Sequence, residues 1–118
     1  MSIEWKDGRG KTVVLDERRW HHILRKHPEF KDHIEWCQSA VEDAIEIRED
    51  PSPDRSPGER YIGPAIERGL FAGMKPVVAT TIKPDDTRFA MTAWTTSLDE
   101  PGTLIWTPAT SPSPRKGK

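Results

Sequence analysis

Cysteine is almost missing from this 118-residue chain: Cys37 stands alone, so no internal disulfide can form and a reducing, cytoplasmic compartment is expected. Long apolar runs are missing as well. None approaches the ~20 residues that a membrane-crossing helix needs. The opening Met-Ser-Ile-Glu-Trp-Lys-Asp has no apolar stretch of the secretory kind, so no leader is expected. There is no cysteine pair and no HExxH, and the intervals separating His22, His27 and His33 match no usual zinc spacing. Gly8-Arg9-Gly10 lacks both the preceding strand and the Gly-Lys-Ser/Thr of a phosphate loop. The reading is a soluble chain with no metal and no cofactor.

Five tryptophans carry much of the apolar content: Trp5, Trp20, Trp36, Trp94 and Trp106. With a hydrophobic fraction of 34% and a mean hydropathy of −0.73, the core must be small and partly aromatic. The length fits one domain, expected over residues 1–108, followed by a disordered basic tail over 109–118. Net charge is only −1, but its distribution is uneven. Arg18, Arg19, Arg25, Lys26 and Lys31 face a single acid, Glu29, in the first basic stretch. Asp32 to Asp54 then holds eight acids against Arg48 alone. Such polarity suits binding to an anion, although two mutually paired solvated helix faces would read the same way.

The pattern along the chain predicts an arm or short strand over 1–12, with a turn at Asp7-Gly8-Arg9-Gly10, then the apolar run Val13-Val14-Leu15. Asp16 is an N-cap candidate for a helix over Glu17 to His27, which Pro28 must end. A second helix is expected from Asp32 to Arg48, with Trp36, Cys37, Ala40, Val41, Ala44 and Ile45 as its apolar stripe. After the breaker-rich 50–58 segment come strands at Tyr61 to Ile66, Leu70 to Ile82, Arg88 to Thr96 and Leu104 to Trp106. The fold class is α+β: two N-terminal helices packed on a three- to four-stranded antiparallel sheet.

Without metal or thiol, histidine, arginine and hydroxyl groups remain, the set for cleaving RNA through its own 2′-hydroxyl. That reaction needs a base, an acid and cations on the phosphoryl oxygens. His22 lies among arginines and away from the apolar face; catalysis and plain solvation both fit it. His27 sits on the apolar face at the helix end, where capping is the simpler role. His21 and His33 read as surface residues. Cys37 reads as inert packing. Trp94 fits sheet packing or base stacking.

The run Trp20-His21-His22-Ile23-Leu24-Arg25-Lys26-His27-Pro28-Glu29 resembles the opening helix of the phage-associated branch of the barnase–EndoU–colicin–RelE-like ribonucleases. Pro53-Asp54, Arg60-Tyr61, Pro76-Val77-Val78-Ala79 and Met91-Thr92-Ala93-Trp94 follow in the order of that family's later motifs, with Trp94 where its members usually carry tyrosine. The resemblance implies a metal-independent endoribonuclease, a toxin or phage effector, working by 2′-hydroxyl transesterification. It implies His22, His27, Arg60 and Thr92 as catalytic residues, with Arg18, Arg25, Tyr61 and Trp94 holding substrate. RNA would be the substrate and an antitoxin or inhibitor protein a partner. The alternative is a non-catalytic protein- or nucleic-acid-binding module on the same fold.

Overall fold

The structure, a computed structural model, describes residues 2–109, and the tail expected over 109–118 lies, but for its first residue, outside the described residues. It opens on a β-hairpin, not on a helix. β1 (Ser2–Lys6) and β2 (Thr12–Asp16) pair antiparallel, from Ser2↔Asp16 to Lys6↔Thr12. Asp7 organises the turn: its carboxylate accepts the backbone N–H groups of Arg9 at 2.8 Å and Lys11 at 3.0 Å. Gly10 completes it at a φ of +87°, where a side chain would be strained.

Asp16 ends β2 and begins α1 (Glu17–Lys26) in one step. Its carboxylate accepts the Arg19 N–H at 2.8 Å, which is the N-cap that the sequence predicts. The His27 N–H bonds the Ile23 carbonyl, and Pro28 prevents another turn. α2 (Ile34–Glu42) is shorter than its apolar stripe predicts. Residues expected in its second half form β3 (Glu46–Glu49) instead. Ile45-Glu46-Ile47-Arg48 alternates as well as it spirals, and Ile47 opposite Tyr61 gains a fully buried cross-strand contact that a helix could not offer.

β4 (Gly58–Ile62), β5 (Lys75–Ile82), β6 (Arg88–Thr96) and β7 (Leu104–Trp106) complete a seven-stranded sheet in the order β1-β2-β6-β5-β4-β3-β7. The α+β class holds, whereas the strand count corrects the expected three or four. β2 runs parallel to β6 (Val13↔Arg88), so the sheet is mixed. Of the two readings of residues 1–12, arm or short strand, the strand holds, and the hairpin it forms with β2 is the sheet's first edge.

Both helices lie on one sheet face, α1 against β2 and β6 and α2 against β1, β4 and β5. Ile47, Tyr61, Val78 and Ala93 stand in register beneath them and belong to the core. The neighbouring row, Arg48, Arg60, Ala79 and Thr92, points to the opposite face because strand side chains alternate. The sheet also curls strongly. A Cβ on Gly8, in the turn of the first edge hairpin, would come within 2.5 Å of the Trp106 ring on the opposite edge strand. No helix among the described residues is long and apolar enough to cross a membrane.

Candidate nucleic-acid interface

α1 is amphipathic by its spacing. Ile23 is buried, and Trp20 and Leu24 pack on the core. Arg18, His22 and Arg25, at i, i+4 and i+7, form one line on the outer side, with Arg19 and Lys26 beside it. An open groove of about 580 Å³ runs there, lined by Arg18, Arg19, His21, His22 and Arg25 together with Glu17. Among the described residues no carboxylate lies within ion-pair distance of Arg18, Arg19 or Arg25. Elsewhere Arg9, Arg48, Arg55, Arg60 and Arg88 all hold carboxylates. The cations of α1 are thus available to an incoming anion.

His22 records that field. Partial loss of water and repulsion from Arg19, Lys26 and Arg25 hold its pKa below the ordinary 6.5, so the ring is mostly neutral at pH 7. A phosphate bound in the groove must raise it. Because the bound pKa then exceeds the free one, anion affinity strengthens as pH falls through the bound value and levels off below the free value. An NMR titration of the His22 ring with and without inorganic phosphate measures this, and an unmoved midpoint would put the anion elsewhere.

His27 stands at the end of α1 with one third of its side chain exposed; its Nδ1 lies 3.7 Å from Glu29 Oε2. Thr95 Oγ1 donates to the same oxygen at 3.4 Å. The four residues expected to share one catalytic pocket do not meet. Arg60 and Thr92 project from the face of the sheet opposite α1, so they are separated from His22 by the sheet itself. Arg60 is also engaged: Nε donates to Asp50 at 3.1 Å, Nη1 donates to Glu100 at 2.7 Å, and the guanidinium lies 4.9 Å over the Trp94 ring. Arg60, expected among the catalytic residues, and Trp94, expected at substrate, are brought together, but as a clamp on the segment leading to β7.

Tyr61, expected to hold substrate, does not line the groove on α1. It is fully buried, because its position on β4 points toward the helices, and its hydroxyl donates to Asp7 at 2.7 Å. It belongs to a buried polar network that the sequence reading missed. Arg9 donates to Glu59 at 2.7 and 3.1 Å and to Asp7 at 2.8 Å; Arg88 donates to Glu59 at 3.0 Å. Burial alone would raise the Glu59 and Asp7 pKa values, but the arginine hydrogen bonds more than offset it and both lie below their usual values. The network fastens the hairpin turn to β4 and β6.

A second groove was also missed, because His33 reads as an ordinary surface residue. His33 stacks on Trp36 with ring centroids 4.1 Å apart and planes 6° from parallel, and its Nδ1 contacts Glu35 at 2.9 Å. Phe30 and Phe71 meet Trp36 edge-on. Burial pushes the Cys37 thiol up to about 12, which keeps it protonated. Among the described residues, no group of three or more His, Cys, Asp or Glu could hold a metal ion.

No family model, no curated protein and no solved structure matches the chain. Fold and surface together define an α+β domain with a cationic helix face.

Proposed function

We propose that this protein binds RNA, with α1 gripping the phosphodiester backbone. One observation carries the reading: Arg18, Arg19 and Arg25 flank His22 in an open groove whose one acidic lining residue, Glu17, pairs with none of the three guanidiniums among the described residues, in a chain whose net charge is −1. Guanidinium groups are planar forks matched to phosphate oxygens, and leaving three of them unpaired on one helix face favours an anionic partner. The histidine–arginine composition of this face, together with the motif run through Glu29, directs the choice of anion to RNA.

A second reading adds catalysis, metal-independent cleavage by attack of the 2′-hydroxyl on the adjacent phosphate. The neutral state of His22 favours it. A neutral imidazole beside guanidiniums can take the 2′-hydroxyl proton while the cations stabilise the charge growing on the phosphoryl oxygens. Arg60 and Thr92, on the other sheet face, have no part in this version of the site.

The test is cleavage of labelled single-stranded RNA in EDTA by the parent protein and by His22→Ala. Loss of one well-placed base should slow cleavage roughly 100- to 10,000-fold, with RNA binding retained. Binding without cleavage by the parent protein would leave an RNA-binding module and remove the enzyme. Absence of binding would remove both.

A further inference from the structure

We infer that the groove beside Trp36 is a nucleobase subsite that receives an unpaired base of RNA held on α1. The inference rests on the RNA reading for its biological ligand, but its chemistry stands apart from the arginines of α1. The groove has a volume of about 330 Å³ and is lined by Glu29, His33, Trp36, Arg68 and Phe71, with Gly69 and Leu70 on its loop side. That volume falls in the range of small-molecule sites, roughly 300–1,000 Å³.

Its geometry is that of an unfinished stack. Trp36 is held by Phe30 and Phe71 at its edges and covered on one face by His33. The His33 ring is fixed at Nδ1 by Glu35, yet 44% of its side chain remains exposed. With one face on Trp36 and Nδ1 engaged, what it can offer a ligand is the other face and the Nε2 edge. A flat heteroaromatic group laid there would extend an ordered pile of two rings to three, at little cost in conformational freedom.

The polar groups around the groove suit a base better than an aliphatic or peptide ligand. Glu29 is largely buried, with Oε2 set between Thr95 and His27, and can accept from an exocyclic amine at the groove wall. Arg68 is exposed and has no carboxylate within ion-pair distance among the described residues; it can cover the open face of a stacked ring. Gly69 and Gly73, at φ of +88° and +89°, bracket the loop that carries Leu70 and Phe71, and Leu70 is 94% exposed at its tip. Glu29 follows the end of α1 by three residues, so one wall of the groove is joined to the cationic helix by a short stretch of chain. A strand with phosphates on α1 would deliver a base to this groove.

The experiment uses the whole chain and three small probes: adenosine, cytidine and ribose 5-phosphate. NMR follows the His33 ring, the Trp36 indole N–H and the His22 ring. The expected result is that both nucleosides shift His33 and Trp36 in a saturable way, while ribose 5-phosphate shifts only His22. Arg68→Ala, at an exposed position where folding is not at stake, should weaken the nucleoside effect roughly two- to fivefold. Nucleosides that leave His33 and Trp36 unmoved, or ribose 5-phosphate moving them equally, would overturn the subsite. Nucleoside binding here combined with no RNA binding on α1 would keep the subsite and discard the RNA reading.

Discussion

Glu59→Ala is expected to destabilise the fold by about 3–5 kcal/mol, the usual range for removing one partner of a buried ion pair. The side chain is 7% exposed and accepts from two arginines, Arg9 and Arg88, which are themselves 18% and 5% exposed. Taking the carboxylate away leaves Arg88 with Asp86 and Arg9 with Asp7, and strips both of their shared buried counter-ion. The pH dependence follows the same network. Glu59 and Asp7 have folded pKa values below their unfolded ones, so their stabilisation is fully present above the unfolded values, 4.5 and 3.8, and is lost as pH falls through the folded ones. Urea unfolding of the parent and Glu59→Ala at pH 7 measures the first effect, and acid titration of the parent the second. A loss below 1 kcal/mol would mean that water reaches the network and that the hairpin is held by its strand pairing alone.

The combined variant Arg18→Ala, Arg19→Ala, Arg25→Ala should lose roughly 100-fold in affinity for single-stranded RNA at 0.1 M salt. The figure comes from counterion release. Each phosphate neutralised contributes about 0.7 to the slope of log affinity against log salt for single strands, so three contacts contribute about two. Over the decade from 1 M down to 0.1 M, that slope is worth about two logarithmic units. Fluorescence anisotropy with a labelled oligonucleotide, repeated across a salt series, separates this from a folding defect. The slope itself must fall by about two while thermal unfolding stays near that of the parent, because Arg18 and Arg25 are exposed and Arg19 is only partly covered. An unchanged slope would show that RNA does not lie on α1.

Local rules made part of this molecule legible from its residues. Asp16 and Pro28 bracket α1, and strands β6 and β7 fall at Arg88–Thr96 and Leu104–Trp106, where the sequence places them. The misreadings share one cause, namely that pairing between distant segments decided the outcome. Residues 46–49 carry both a helical and an alternating pattern, and only Tyr61 across the strand resolves it. Residues 1–12 read equally as an arm or a short strand, and only the pairing with β2 and β6 decides for the sheet. For the candidate site, the Arg18–His22–Arg25 line was readable because helical spacing is local. The side of the sheet on which Arg60 and Thr92 emerge was not, since it depends on register. Nor could spacing reveal that Arg60 meets Asp50 and Glu100, or that His33 lies flat on Trp36.

The close approach of Gly8 to Trp106 bears on how the chain acquires its shape during synthesis. The seat for the first turn is supplied by the last strand, and β2 joins the sheet through β6, more than seventy residues later. The helices that cover the hairpin follow it closely, but its strand partner and the seat of its turn are absent until nearly all of the chain has left the ribosome. High sequence separation of this kind slows folding and leaves apolar strands waiting for partners. An N-terminal fragment ending before β6 would leave the inner edge of β2, at Val13 and Val14, without its strand partner, and should be a client for chaperones rather than a folded unit.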